Sequence, residues 1–273
     1  MIWLRKTLGL WLILLTAAWA ASSGSRHLLM MGATSVLPYL KASVGRWTAG
    51  HPELTVAVSG GGSWAGLSAL QHGHADIAVS DLPEDAWPVP PTWARIPLGR
   101  LPVLLVVHPG TGVANLSRHA LQALFSGKVR SWAELGGKSI PVTVVVRPQG
   151  SGARAVVERY LGRPQLGPNV ITQLSNGAVL AAVAETPGAI GYVEGLRLIP
   201  GVTPVGIDGR GFSPMQASQW PLWAESRLYV PRRRLEDPAV LALVTWLAQD
   251  PERTRYGLFP PSAADPALFA HAG

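Results

Sequence analysis

Short apolar runs alternate with amphipathic segments along the first third of the chain. Apolar residues dominate positions 27–31, 54–58 and 76–79, and this pattern predicts three strands. Between them, apolar side chains recur at helical spacing over positions 38–47 and again from Ser63 onward. The β-α-β-α-β alternation predicts a parallel sheet with helices on its faces. Ligands of such sheets bind at the carboxyl ends of the strands.

The alternation resumes after a proline-rich region at 83–102, which we expect to break regular structure. Further strands are predicted at 101–108, 140–146, 188–193 and 226–230. Further helices are predicted at 117–125, from the turn at 150–152 through Tyr160, from Ser175 onward, and at 237–248. Strands and helices therefore alternate over nearly the whole chain.

Small polar turns lie between strand and helix at three places: GATS at 32–35, SGGGS at 59–63 and RPQGSGAR at 147–154. Backbone N–H groups at such helix starts, together with the helix dipole, bind anions. Arg147 can add two parallel hydrogen bonds to a tetrahedral oxyanion. Asp81 directly follows the third strand, so a carboxylate is predicted beside these donors.

The first 21 residues are typical of a secretory signal peptide. Arg5 and Lys6 precede an apolar run at 8–18 that is too short to cross a bilayer, and residues 18–20 read Ala-Trp-Ala, a cleavage signature. An uncleaved membrane anchor is the alternative. We therefore expect the mature protein to be exported.

Composition narrows the function further. The chain of 273 residues is 48% hydrophobic and 14% charged, and it has no cysteine for disulfides or thiolate metal sites. Its formal net charge is +7, but the arginines are scattered apart from the triplet at 232–234. No basic stripe is interleaved with aromatic residues, so we expect no nucleic-acid binding.

Several local motifs suggest other functions and fail in context. Residues 60–65 fit the dinucleotide pattern G-x-G-x-x-G/A, but a strand-helix unit precedes them and an exported protein meets little nicotinamide cofactor. His72 and His74 flank a glycine at a helix end, which favours a solvated turn over a metal site. Ser63 and Ser151 lack the nucleophile elbow. We expect no catalytic residue, metal or cofactor, although an exported enzyme stays an alternative.

Six segments, in this order, resemble the periplasmic phosphate-binding proteins of ABC transporters, the PstS-like family. They are GATSVLP at 32–38, VSGGGSWAG at 58–66, GHADIAVSD at 73–81, LFSGKVRSWAELGG at 124–137, RPQGSGAR at 147–154 and SNGAVLAAVAETPGAIGYV at 175–193. The resemblance extends over residues 28–260. It implies an α/β chain with the type II periplasmic-binding fold, in which two lobes, each a mainly parallel sheet flanked by helices, enclose a ligand.

The resemblance also implies boundaries and site residues. Lobe one is expected at 28–104 plus 222–273 and lobe two at 105–221, with chain crossings near 104–108 and 221–230. The implied phosphate ligands are Thr34, Ser35, Val36, Ser63, Asp81, Arg147, Ser151 and Gly152, with Trp64, Ala153 and Arg154 as further candidate contacts. In this interpretation Asp81 accepts the proton that phosphate carries and repels a fully deprotonated anion.

The implied function is that of a non-enzymatic, monomeric periplasmic protein that captures inorganic phosphate and delivers it to an ABC transporter permease in the inner membrane. Two departures from the family pattern leave alternatives open. Trp64 stands where relatives carry a small residue, and Ala153 stands where threonine is frequent. Molybdate, arsenate or a phosphorylated organic ligand could therefore bind instead. Sensing or surface attachment without transport, and an exported phosphatase-like enzyme, are further alternatives.

Overall fold

A computed structural model describes residues 26–261, so the predicted signal peptide lies outside the described part of the chain. The strands are β1 Arg26–Gly32, β2 Leu54–Ser59, β3 Ile77–Ser80, β4 Trp93–Val107, β5 Asn115–Leu116, β6 Thr143–Val146, β7 Val170–Thr172, β8 Ala189–Glu194, β9 Thr203–Ile207 and β10 Trp223–Pro231. The α-helices are α1 Leu37–Thr48, α2 Ser63–Gln71, α3 Arg118–Phe125, α4 Gly152–Leu161, α5 Asn176–Glu185 and α6 Pro238–Gln249.

The strands are linked in the order β2-β1-β3-β10-β4-β8-β6-β7, with β9 added to β4 and β5 added to β9. Strand β1 pairs in parallel with both β2 and β3, which confirms the parallel sheet predicted from the first third of the chain. Strand β10 returns antiparallel between β3 and β4. Each half of this network has its own large buried apolar core, so the described chain forms two lobes.

The long strand β4 joins the two lobes. Its residues from Trp93 to Pro102 pair with β10, whereas those from Val103 to Val107 pair with β8 and β9. The chain therefore passes from one lobe to the other within a single extended segment. Within residues 26–261, the structure contains no helix long and apolar enough to cross a membrane.

The prediction that residues 83–102 break regular structure is wrong for the second half of that region. Strand β4 begins at Trp93 and passes through Pro97 and Pro102. Pro97 lies where the register with β10 shifts between Ser226 and Arg227, and Pro102 lies where β4 exchanges one partner for the other. Proline lacks the N–H group that a regular ladder needs, but a bulge or a strand boundary makes no such demand.

The strand ends and helix starts bring the polar turns together. Helix α1 begins directly after the turn that follows β1, and α2 begins after Gly62, whose φ of 93° favours glycine. Helix α4 begins at Gly152, after the turn that follows β6. Ser175 caps α5 by accepting a hydrogen bond from the Ala178 N–H at 3.2 Å. The amino ends of helices from both lobes therefore lie near one interlobe cleft.

Candidate anion-binding site

Asp81 is the central residue contributed by lobe one. Asp81 is only 1% exposed, although it lies in a loop just beyond β3. Its backbone N–H donates to the Ser63 hydroxyl at 3.0 Å, and its carboxylate accepts a hydrogen bond from the Ser35 hydroxyl. The starts of α1 and α2 thus fix this carboxylate at the edge of the sheet. The Val36 side chain is fully buried at the N-cap of α1, so only its backbone N–H could contact a bound anion.

Arg147 is the corresponding residue of lobe two, and it is 3% exposed. Its Nη1 donates to the Asn176 side-chain oxygen at 2.9 Å. Its Nη2 donates to the Leu174 carbonyl at 3.1 Å and, across the cleft, to the Thr34 hydroxyl at 3.4 Å. These contacts hold the guanidinium plane in one orientation that points toward lobe one.

Three buried side-chain atoms of the predicted residues have no hydrogen-bond partner within the described chain. They are Asp81 Oδ1, Arg147 Nε and Ser151 Oγ. A buried polar atom without a partner costs about 1–3 kcal/mol. Arg147 and Ser151 line, with Thr34, a cavity of about 290 Å³, while Asp81 lines a second interlobe cavity of about 620 Å³. An anion in the first cavity could accept hydrogen bonds from Arg147 Nε and Ser151 Oγ, whereas Asp81 Oδ1 is an acceptor that needs a donor.

Glycines on the α4 turn allow the lobes to approach closely. A Cβ on Gly152 would lie 2.5 Å from the Asp81 Cβ, and a Cβ on Gly150 would lie 2.5 Å from the Trp64 Cγ. The Trp64 N–H also donates to the Gly150 carbonyl at 3.4 Å. The described arrangement is therefore a closed one, in which backbone of lobe two rests directly on lobe one.

Trp64 does not fill the interior of the cleft. Trp64 is 48% exposed, and its ring packs edge to face against the Trp87 ring, with 6.0 Å between the two ring centroids. It packs against Gly150 and lines the cavity that Arg147 also lines. The bulky residue that departs from the family pattern is thus half exposed and contacts the opposite lobe.

Two of the further candidate contacts have structural roles. The Arg154 Nε donates to Glu158 at 2.6 Å and its Nη1 donates to the Arg147 carbonyl at 2.9 Å, so Arg154 supports the backbone of Arg147. A direct contact between Arg154 and the ligand stays a prediction. The Ala153 side chain is fully buried in the lobe-two core, which leaves only its backbone N–H for the site.

Two further residues, Glu194 and Asn176, lie beside Arg147, and neither is predicted from the sequence. Glu194 ends β8, its side chain is 3% exposed, and its Oε2 lies 3.8 Å from the Arg147 Nη1. The Asn176 amide donates to the Glu194 backbone carbonyl at 3.1 Å while its oxygen accepts from Arg147. The only signal in the sequence is one acidic residue at the end of the apolar run AIGYVE.

The two buried carboxyl groups influence each other's protonation. Burial raises the pKa of Asp81, against the hydroxyls of Ser35 and Ser226 and the charges of Arg147 and Arg227. Burial and then the negative charge of Asp81 raise the pKa of Glu194 to about 8, against Arg147, the Ala153 N–H and Asn176. Two neighbouring carboxyls rarely both ionise. The negative charge of Asp81 disfavours ionisation of Glu194, so the pair favours a state in which only one of the two carboxyls is charged.

The described side chains do not form a cluster that could bind a metal ion. Among the described residues, no three His, Asp or Glu side chains are grouped so that they could hold a metal ion. The cleft instead combines arginine, hydroxyl and backbone N–H donors with buried carboxyls, which is the chemistry of a site for a protonated anion.

The sequence is similar to those of known binding proteins. A family model described as a PBP superfamily domain matches residues 16–195. The phosphate-binding protein PstS of Bacillus subtilis (strain 168) is 32% identical over 216 residues, which cover 76% of this chain and 70% of the relative.

The fold is similar to those of two solved structures. One, from Clostridium perfringens, is described as a candidate phosphate ABC transporter substrate-binding protein with bound phosphate; its TM-score is 0.78 at 20% identity, over 86% of this chain and 99% of that one. The other, an ABC-type phosphate transport receptor from Vibrio cholerae, has a TM-score of 0.71 at 24% identity, over 86% and 100%. These likenesses confirm the predicted two-lobed type II fold.

Proposed function

The chain belongs to the PstS-like phosphate-binding family of the PBP superfamily, and from this premise we propose that it captures inorganic phosphate between its lobes for delivery to an ABC transporter. The Bacillus subtilis relative is itself named a phosphate-binding protein. The arrangement of the cleft gives this function a physical basis in the present chain.

The observation that carries the proposal is the set of three unpaired buried atoms. Arg147 Nε can donate to a phosphate oxygen, and the Ser151 hydroxyl can donate to another. Asp81 Oδ1 can only accept when the group is ionised, so the ligand must bring a proton of its own. Phosphate near neutral pH carries such a proton, whereas sulfate does not. The same carboxylate therefore attracts phosphate and rejects sulfate.

The ligand residues on this proposal are Thr34, Ser35, Val36, Ser63, Asp81, Arg147, Ser151 and Gly152. Their division between lobes makes binding and closure one event. The predicted boundaries, which this proposal keeps, are 28–104 plus 222–273 for lobe one and 105–221 for lobe two; residues 262–273 lie outside the described part of the chain. The change of partner within β4, between Pro102 and Val103, supports a crossing close to this boundary.

The cellular role follows from the same premise. The protein acts as a monomer in the periplasm, catalyses no reaction, and docks on a permease in the inner membrane. Support comes from the signal-peptide composition of residues 1–21 and from relatives that are named as binding proteins. A chromogenic phosphate ester tests the enzymatic alternative, because steady release of its chromophore by purified protein would contradict the proposal.

Calorimetric titration of the mature protein with phosphate, arsenate, molybdate and sulfate tests the binding function. We expect one phosphate per chain and sulfate affinity lower by about 100-fold or more, because sulfate leaves the buried Asp81 carboxylate without a donor. Arsenate carries a proton as phosphate does and should bind. Sulfate binding as tight as phosphate, or no binding of phosphate, would overturn the proposal.

A further inference from the structure

The Glu194 carboxyl lies against donors that an anion bound in lobe two would need. Its Oε2 is 3.8 Å from the Arg147 Nη1, and the backbone N–H of Ala153, in the first turn of α4, acts to lower its pKa. The side chain is 3% exposed, so its interaction with Arg147 is little screened by bulk solvent. When ionised, Glu194 is therefore an anion of the protein itself that competes for the donors of the site.

The groups that act on Glu194 fall into two sets. Those that favour its ionised form all belong to lobe two: Arg147 after β6, the Ala153 N–H at the start of α4 and Asn176 at the start of α5. Those that disfavour it are its burial and the negative charge of Asp81, which belongs to lobe one. Arg227 of β10 favours the ionised form of Asp81. Closing the lobes therefore makes a charge on Glu194 costly.

We propose that Glu194 is a specificity-determining residue of the anion site, and that it must be protonated for phosphate to be held between the closed lobes. This inference rests on the proposed function. A neutral Glu194 releases the guanidinium and amide donors for the ligand and can itself donate a hydrogen bond. Glu194 takes this proton from the solvent or from monobasic phosphate, so phosphate capture is coupled to protonation of Glu194.

The direction of the pH dependence follows from linkage. In the closed cleft, burial and then the negative charge of Asp81 raise the pKa of Glu194 from its ordinary value of 4.5 to about 8, and opening the lobes would lower it again by withdrawing Asp81. The Glu194 carboxyl contributes fully to phosphate affinity at pH values below its pKa in the open form. This contribution is lost as the pH rises through its pKa in the closed form.

The test compares wild type with Glu194→Gln, which is neutral at every pH and keeps the shape of the side chain. The dissociation constant for inorganic phosphate is measured by calorimetry at steps from about pH 5.5 to about pH 8.5, a window that spans the titration of Glu194. The ratio of the wild-type constant to the variant constant cancels the titration of phosphate itself. We expect this ratio to rise about tenfold or more across the window.

Glu185→Gln is the matched control, because Glu185 is an exposed acidic residue of the same lobe at the far end of α5. Its constants should follow those of wild type at every pH. A ratio for Glu194→Gln that stays flat, with phosphate still bound, would overturn the role of Glu194 and leave the proposed function standing. Failure of wild type to bind phosphate at any pH would overturn both.

A measurement on wild type alone removes any dependence on the folding of the variant. Calorimetry in two buffers of different ionisation enthalpy counts the protons exchanged for each phosphate bound. Near pH 7.5 we expect wild type to take up a substantial fraction of one proton, beyond the amount that phosphate's own equilibrium explains. An exchange explained fully by phosphate would contradict the proposal, whether or not Glu194→Gln folds.

Discussion

The close contact between Gly152 and Asp81 predicts that one methyl group added at position 152 will weaken phosphate binding without destabilising the ligand-free protein. A Cβ on Gly152 would lie 2.5 Å from the Asp81 Cβ and 2.7 Å from the Asp81 carbonyl oxygen. Carbon atoms in ordinary contact are about 3.5–4.0 Å apart, so the lobes of Gly152→Ala must stay about 1 Å further apart. In the open form the same methyl group meets no such obstacle, since Asp81 belongs to the other lobe.

The size of the effect follows from the cost of overpacking. Forcing an extra methyl group into a packed contact costs about 1–3 kcal/mol. Because this cost falls only on the closed form, phosphate affinity should drop by about 5- to 150-fold. The stability of the ligand-free protein should not fall, because alanine is a better helix former than glycine by about 1 kcal/mol and Gly152 begins α4.

Gly45→Ala is the control for this substitution. Gly45 lies inside α1, and a Cβ there would have nothing within 4 Å. Phosphate titrations and thermal melts of both variants give the comparison with wild type. If Gly152→Ala bound phosphate within twofold of wild type, the closed contact between the two lobes would not be part of the liganded state.

Three other substitutions test the remaining parts of the site. Asp81→Asn should narrow the difference between phosphate and sulfate affinities measured by calorimetry, because the amide can donate to a fully deprotonated oxyanion. Arg147→Ala should weaken phosphate binding by about 2–5 kcal/mol, and an unchanged affinity would mean that lobe two is misassigned. Trp64→Ala should speed phosphate release in stopped-flow experiments more than it slows capture, because Trp64 contacts Gly150 only when the lobes are closed.

The features that the sequence predicts well are local ones. A glycine-rich turn before a helix is specified by a few consecutive residues, so the starts of α1, α2 and α4 and the parallel pairing of β1 with β2 and β3 follow from the pattern. The role of Arg154 could also be found locally. Glu158 lies one helical turn further on, and the i,i+4 spacing predicts the ion pair that Arg154 forms with it.

The features that the sequence did not predict depend on residues distant along the chain. Strand β4 tolerates Pro97 because β10, more than a hundred residues later, shifts its register there. Glu194 looks like the polar end of an apolar strand until Arg147 and Asp81 are brought beside it from two other segments. The local sequence around Glu194 does not predict these contacts. Arg147 lies on a different element, and Asp81 lies in the other lobe.

The charges in the cleft explain why protonation decides the ligand. Arg147 and Arg227 both act on Asp81, while Asp81 and Arg147 both act on Glu194. With both carboxyls ionised, two negative charges act on Arg147 and Arg227, and Glu84 adds a third at 3.8 Å from Arg227. With Glu194 neutral, less of the Arg147 charge is offset when an anion binds. Opening the lobes withdraws Asp81 and readmits water, so Glu194 ionises and reoccupies the donors. Forced opening by a transporter would therefore expel the anion actively as well as expose it.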